Sequence, residues 1–260
     1  MTEDAVVDGN VAKRCNQRSK QYNAGIWEWS ADDTFFTMNE AFDTRGTRDG
    51  EGFDSDFNSR NTHFFRNFSH NNDGGFMLIC TPVKRNRKEN AGNSGSVISE
   101  NISHDDSGLL INLSGATDVH VNHNVFYVGR GYHVQFITSE WGGWSKDAWF
   151  VGNRFFIRGS VAFGHSLKRL NNGSYRIMPG WGGASSIHFI GNQYSGKVIN
   201  WPSESKLSQL RDSGHFPMEW SSEPMFNPAF PLQYPKYLAE HRAWMVELFR
   251  SVYGSGRTTR

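Results

Sequence analysis

The feature that most constrains this chain is an asparagine that returns in a fixed local context. Asn10, Asn39, Asn67, Asn101, Asn124, Asn153 and Asn192 each follow an apolar residue by three positions: Val7, Phe36, Phe64, Ile98, Val121, Phe150 and Phe189. Five positions before each stands a small or β-branched residue: Ala5, Thr34, Thr62, Ser96, Val119, Ala148 and Ile187. The spacing is uneven while the context is constant. That pattern predicts a solenoid in which each coil lays down a short strand, turns sharply at the Asn and continues into a second strand such as GFDSDF, GFMLIC, GLLINL or YHVQF. Asn suits such a turn because it tolerates the left-handed region and its amide both donates and accepts. With coils stacked ~4.8 Å apart, the same Asn in successive coils can bond to its neighbours and form an internal ladder. Variable length is then absorbed in loops, expected over 81–95, 137–147 and 164–185 from their Gly, Asn and charge.

Composition agrees with many short strands. The 260 residues include 27 Gly, 20 Phe and 9 Trp at a mean hydropathy of −0.60, which favours tight turns over long helices. Lys and Arg total 27 against 26 Asp and Glu, which removes the electrostatic argument for a nucleic-acid or membrane-surface partner. No apolar run approaches the ~20 residues of a membrane span, and MTEDAVVDGN lacks the basic start, apolar run and cleavage site of an export signal. Cys15 and Cys80 are too few for a disulfide framework or a zinc site, so both are expected as buried free thiols. Sequons occur at Asn67, Asn101, Asn112 and Asn172. Because three of these fall inside the repeat, a structural role is expected in place of a glycan.

Beyond residue 200 the repeat stops, and Pro202, Pro217, Pro224, Pro228, Pro231 and Pro235 interrupt the chain. Tyr237, His241, Trp244, Met245, Leu248, Phe249 and Val252 then recur at three and four, predicting an amphipathic helix over 236–253. The division expected is a solenoid over 1–202 and a tail over 203–260 that covers solenoid surface or the last coil's edge. At the other end the first coil begins within a few residues of Met1. The expectation there is a fragment of a longer solenoid, or an upstream domain or partner covering that edge.

The segments GIWEWS, DGEGFDSDF, RNFSHNNDGGFML and SENISHDDSGLLI resemble a bacterial subgroup of the pectate-lyase-like superfamily associated with polysaccharide breakdown. The resemblance implies an all-β fold, a right-handed parallel β-helix of about seven coils. It also implies a polysaccharide or oligosaccharide ligand and a parent protein that is secreted or periplasmic. Polygalacturonases of that superfamily carry paired aspartates, a Gly-His-Gly segment and an Arg-x-Lys. Here Asp105, Asp106, His165 and Arg176 sit in fragments that do not reproduce those motifs, and no catalytic role transfers to them.

The sharpest chemical constellation is Glu51, Asp54 and Asp56. If 53–57 is a strand, Phe53, Ser55 and Phe57 face the core and both aspartates share the other side. Carboxylates held close on a rigid sheet shift one another's pKa, and glycoside cleavage needs one protonated and one ionised carboxyl. Calcium held by the same oxygens, or a solvated strand face, are the alternatives, and the enzymatic reading requires no cofactor. Glu28, on the preceding GIWEW strand, is expected beside the cluster, with Trp27 or Trp29 as a sugar platform. His133 is expected to face outward as a further catalytic residue. Glu140, Trp141 and Trp144 in EWGGW are expected to wall a sugar groove. His70 and His104 hold equivalent positions in NFSHNND and NISHDDS and are expected to stack, with His104 also placed to touch substrate. A glycoside hydrolase is therefore the first expectation. A β-eliminating polysaccharide lyase is the second, although this strand offers no Lys, Arg, His or Tyr base. A non-catalytic glycan-binding or structural solenoid is the third.

Overall fold

The computed structural model describes residues 2–46, 49–81, 92–139, 145–163, 165–169, 175–179, 184–199 and 225–226, together with Ala239 and Ala243. The regular structure is almost all β, in parallel stacked sheets apart from one antiparallel pair. One sheet holds seven strands in sequence order: Val6–Asp8, Phe35–Thr37, His63–Phe65, Val97–Ser99, Thr117–Asn122, Ser145–Val151 and Ala184–Ile190. Their registers align Val7, Phe36, Phe64, Ile98, Val121, Phe150 and Phe189, the apolar position of the repeat, in one inward column. Like side chains meet there. Phe36 stacks on Phe64 at 4.7 Å and Phe150 on Phe189 at 4.8 Å.

Two further rows of strands close the repeat. Val11–Lys13, Glu40–Phe42, Phe68–His70, Ile102–His104 and Val125–Val128 form one; Ile26–Glu28, Glu51–Ser55, Gly75–Cys80, Leu109–Ser114 and His133–Ser139 form the other. The long strand Arg154–Phe163 joins them into a single 13-stranded sheet, because its first part pairs with Val125–Val128 and its last part with His133–Ser139. The main apolar cluster draws on all three rows, through Phe36, Phe64 and Val121, through Phe126 and Phe155, and through Phe53, Ile79 and Leu113. Phe68, Ile102, Val125 and Phe156 make a smaller cluster on the opposite side of the second row.

The asparagine ladder is continuous. Each Asn from Asn10 to Asn153 donates its backbone N–H and its Nδ2 to the Oδ1 of the next Asn in the series, at 2.8 to 3.1 Å. From Asn39 onward, Nδ2 also donates to the carbonyl of the apolar residue one repeat earlier, as in Asn67 to Phe36 O and Asn101 to Phe64 O. The left-handed residue of the corner, however, is not the Asn. It is the residue before it: Gly9, Met38, Arg66, Glu100, His123, Gly152 and Gly191 all have φ between 53° and 65°. The Asn side chain must lie in the column, so the sharp reversal falls on a neighbour outside it.

A second, shorter ladder turns the next corner. Thr44 N donates to Asn72 Oδ1 at 2.9 Å, and Asn72 donates its N–H and Nδ2 to Asp106 Oδ1 at 3.0 and 2.8 Å. Here too the preceding residues, Asp43, Asn71 and Asp105, are left-handed. Asp106 Oδ2 accepts from the Ser103 hydroxyl at 2.7 Å, and burial raises the Asp106 pKa to about 6 against those bonds.

Several expectations need correction. Of the loop expected over 137–147, Ile137–Ser139 ends one strand and Ser145–Asp147 begins another, with 140–144 outside the described residues. The segment 164–185 contains an antiparallel pair, His165–Arg169 with Tyr175–Pro179. Both cysteines are free, but only Cys80 is buried; Cys15 is half-buried. Asn67, Asn101 and Asn112 are buried, which closes those sequons to a glycan, while Asn172 lies outside the described residues. In the tail, Met225–Phe226 pairs in parallel with Gln193–Ile199, the strand that itself pairs with Arg154–Phe163. Of the helix expected over 236–253, only Ala239 and Ala243 are described, and both are helical. At the opposite edge, Val6 and Val11 are 69% and 64% exposed.

Candidate active site

Glu51–Ser55 is a strand because its alternation fits the pleat. Phe53 enters the core, edge-on to Phe64 at 6.0 Å and to Phe76 at 6.1 Å, and this sends Asp54 to the other side of the sheet. Across the rungs Asp54 lies in one row with Trp27, Leu78, Asn112 and Ile137. That row is not the solvated face expected from the sequence. Asp54 is 4% and Glu51 3% exposed, and Leu78 is equally buried while standing outside the main apolar cluster. Asp54 Oδ1 and Glu51 Oε2 have no hydrogen-bond partner.

Burying a carboxylate without partners penalises its ionised form. Asp54 is accordingly pushed well above the usual carboxylate range, first by burial and then by the charges of Asp56, Glu51, Asp49 and Glu28. Glu51 is also pushed well up, by burial and then mainly by Asp49. The electrostatic cluster therefore has a fourth member, Asp49, absent from the expected set although DGEG placed it two residues from Glu51.

Asp56 differs from Asp54 in its partners. It is half-buried, and its Oδ1 accepts from Phe57 N at 2.7 Å and from the Cys80 thiol at 3.0 Å. Burial raises its pKa, but these two bonds favour the ionised form and oppose the rise. The strand and the residue that follows it thus hold two carboxyls in unlike environments: Asp54 is buried with an oxygen that has no hydrogen-bond partner, while Asp56 is nearer the surface and supplied with donors.

The remaining candidates fall elsewhere. Glu28 is in register with Ser55, not Asp54, and faces inward. Its Oε1 accepts from the Ser55 hydroxyl at 3.1 Å and from the Thr62 hydroxyl, with burial raising its pKa against these hydroxyls and those of Thr34 and Ser59. Trp27 is the residue of that strand in Asp54's row, and it is 42% exposed. Trp29 is exposed and stands edge-on to Phe57 at 6.1 Å.

His104 pairs in register with His70, as their equivalent contexts predicted, and stacks on Tyr127 at 4.7 Å. Both histidines belong to the second row of strands and not to the row that carries Asp54. His133 is exposed, with Nδ1 and Ser160 Oγ 2.6 Å apart. The residue of its strand that reaches Asp54's row is Ile137, four positions on, which at ~3.3 Å per residue sets His133 about 13 Å along the strand. Two rungs also intervene, so His133 does not join the cluster. Glu140, Trp141 and Trp144 lie outside the described residues.

Among the described residues, no group of three or more His, Cys, Asp or Glu side chains is arranged to hold a metal ion. No protein-family model, curated protein or solved structure matches this chain.

Proposed function

We propose that the protein is a carbohydrate-active enzyme that hydrolyses glycosidic bonds of a polysaccharide, on a right-handed parallel β-helix of the pectate-lyase-like kind. The observation that carries this reading is the contrast between Asp54, on the strand Glu51–Ser55, and Asp56, just past its end: both are raised by burial, Asp54 the further, while Asp56 alone receives the opposing bonds from Cys80 and Phe57. A pair of titrating groups pushed apart in this way has the makings of an acid and a base. Asp54, whose hold on its proton is strengthened by burial and by the neighbouring carboxylates, serves as general acid to the leaving oxygen. Asp56, supplied with donors, serves as general base to a water. Alternate residues on a strand lie ~6.5 to 7 Å apart, which fits the spacing that leaves room for a water between carboxyls and so favours inversion at the anomeric carbon. Trp27, in Asp54's row, and Trp29 provide exposed indoles beside the pair for the apolar face of a sugar ring.

The test is a panel of neutral and acidic polysaccharides, following reducing ends and ultraviolet absorbance together. New reducing ends without unsaturated products, abolished in Asp54→Asn and in Asp56→Asn, would support hydrolysis. Unsaturated sugar products would select the lyase instead. Retention of glycan without product release would identify a binding solenoid and overturn the proposal.

A further inference from the structure

The inference concerns Cys80, which rests one rung above Asp56 and to which sequence reasoning gave no role beyond that of a buried thiol. Ser55 pairs with Ile79, so the following residues, Asp56 and Cys80, face each other across the ladder. The Cys80 Sγ lies 3.0 Å from Asp56 Oδ1, the oxygen that also accepts from Phe57 N at 2.7 Å. Cys80 is 1% exposed and forms no disulfide. We propose that Cys80 is the positioning residue of the site: its S–H points at Asp56 Oδ1 and fixes the orientation of the base.

The surroundings make the thiol a dependable donor. Burial, followed by the charges of Asp54 and Asp56, pushes the Cys80 thiol well above its ordinary range, so the proton stays on sulfur through neutral and mildly alkaline pH. A thiolate there would face carboxylates directly and would lose its bond to Asp56. The same strand position also explains the asymmetry of the pair. Asp54 stands opposite Leu78, which offers no donor, while Asp56 stands opposite a donor. The neighbouring rung thus adds to the difference that burial makes, by giving a side-chain donor to Asp56 and none to Asp54.

This inference rests on the hydrolytic reading for its catalytic meaning, and its test is chosen to stand apart from turnover. Carboxyl-carbon NMR titration of Asp56 would be recorded in the wild type, in Cys80→Ser and in Cys80→Ala. A bond to the ionised form lowers a pKa, so removing the donor in Cys80→Ala should raise the Asp56 titration by about one unit, and Cys80→Ser, which keeps a donor, should restore most of it. Where turnover is measurable, the acid limb of the kcat/KM profile should move upward by the same amount in Cys80→Ala while the alkaline limb stays. Should Cys80→Ala fold poorly, the S–H stretch provides an independent reading: it should move to higher frequency in Asp56→Asn relative to wild type. An Asp56 titration unchanged in Cys80→Ala, or an S–H stretch indifferent to Asp56→Asn, would overturn the inference. Absence of turnover in the wild type would instead overturn the hydrolytic reading, with the titration still deciding on Cys80.

Discussion

Asn101 gives its backbone N–H and its side-chain Nδ2 to one acceptor, Asn124 Oδ1, at 2.9 and 3.0 Å. Its own Oδ1 receives the same pair from Asn67, and its Nδ2 serves the Phe64 carbonyl as well. Replacing Asn101 by Leu would leave the Asn67 N–H buried without its acceptor, at about 1 to 3 kcal/mol. Chemical denaturation should show the loss directly. An unchanged midpoint would remove the ladder from the account of stability.

Asp54→Asn should move activity and stability in opposite directions. The folded-state pKa of Asp54 is well above its ordinary value, so the folded protein holds a proton that the unfolded chain releases as pH rises past that value. Stability then falls with increasing pH until the folded carboxyl itself ionises. Asn carries no such dependence. The variant should gain melting temperature at pH 8 relative to wild type, show little gain at pH 4, and lose about 100-fold or more in turnover. Equal melting curves at both pH values would contradict the burial of an unpaired carboxyl here.

Asp106 allows the same logic in a place remote from catalysis. Its pKa of about 6 against an ordinary 3.8 means that its contribution is fully present below the lower value and is lost as pH rises through the upper one. Asp106→Asn keeps the Oδ1 acceptor for Asn72 and removes the titration. The melting temperature of the variant should therefore vary less between pH 4 and pH 7 than that of wild type, with turnover unaffected.

The corner before Asn153 is a test of backbone geometry. Gly152 has φ +63°, and a Cβ placed there would meet the His123 ring at 2.8 Å. Gly152→Val should cost about 2 kcal/mol or more, because a β-branched residue resists the left-handed region. His123→Gly, at the equivalent corner one repeat earlier, should be neutral or stabilising, since His123 already bears φ +56°. A pair of calorimetric scans separates the two outcomes.

Much of the fold was legible because the repeat is written in side chains. Asn at the ladder and Val or Phe three residues before it are chemical choices, and the pairing registers return them as columns. The left-handed corner was not legible, because Met38, Arg66, Glu100 and His123 share a torsion and no chemistry. The second ladder was missed for a related reason: Thr44, Asn72 and Asp106 have in common an oxygen, not a residue type. At the site, the strand and its acidic residues were readable, and so was the place of Glu28 on the neighbouring strand, but not its register. Pairing with Ser55 turns Glu28 to the inner side of the sheet and leaves Trp27 in Asp54's row. The burial of Asp54 and Glu51 was beyond reach, since what surrounds the outer side of a strand is decided by distant parts of the chain.

The ladder intervals have a practical meaning of their own. Successive asparagines are separated by 29, 28, 34, 23, 29 and 39 residues, yet every link has the same geometry. The asparagine thus acts as an index mark: however far the chain wanders between marks, each turn is brought back into phase on returning to one. A loop can be lengthened, shortened or exchanged for a foreign segment without disturbing the turns above and below it, provided that the mark and its left-handed neighbour are kept. The structural grammar of the scaffold and the chemistry grafted onto it can therefore change independently.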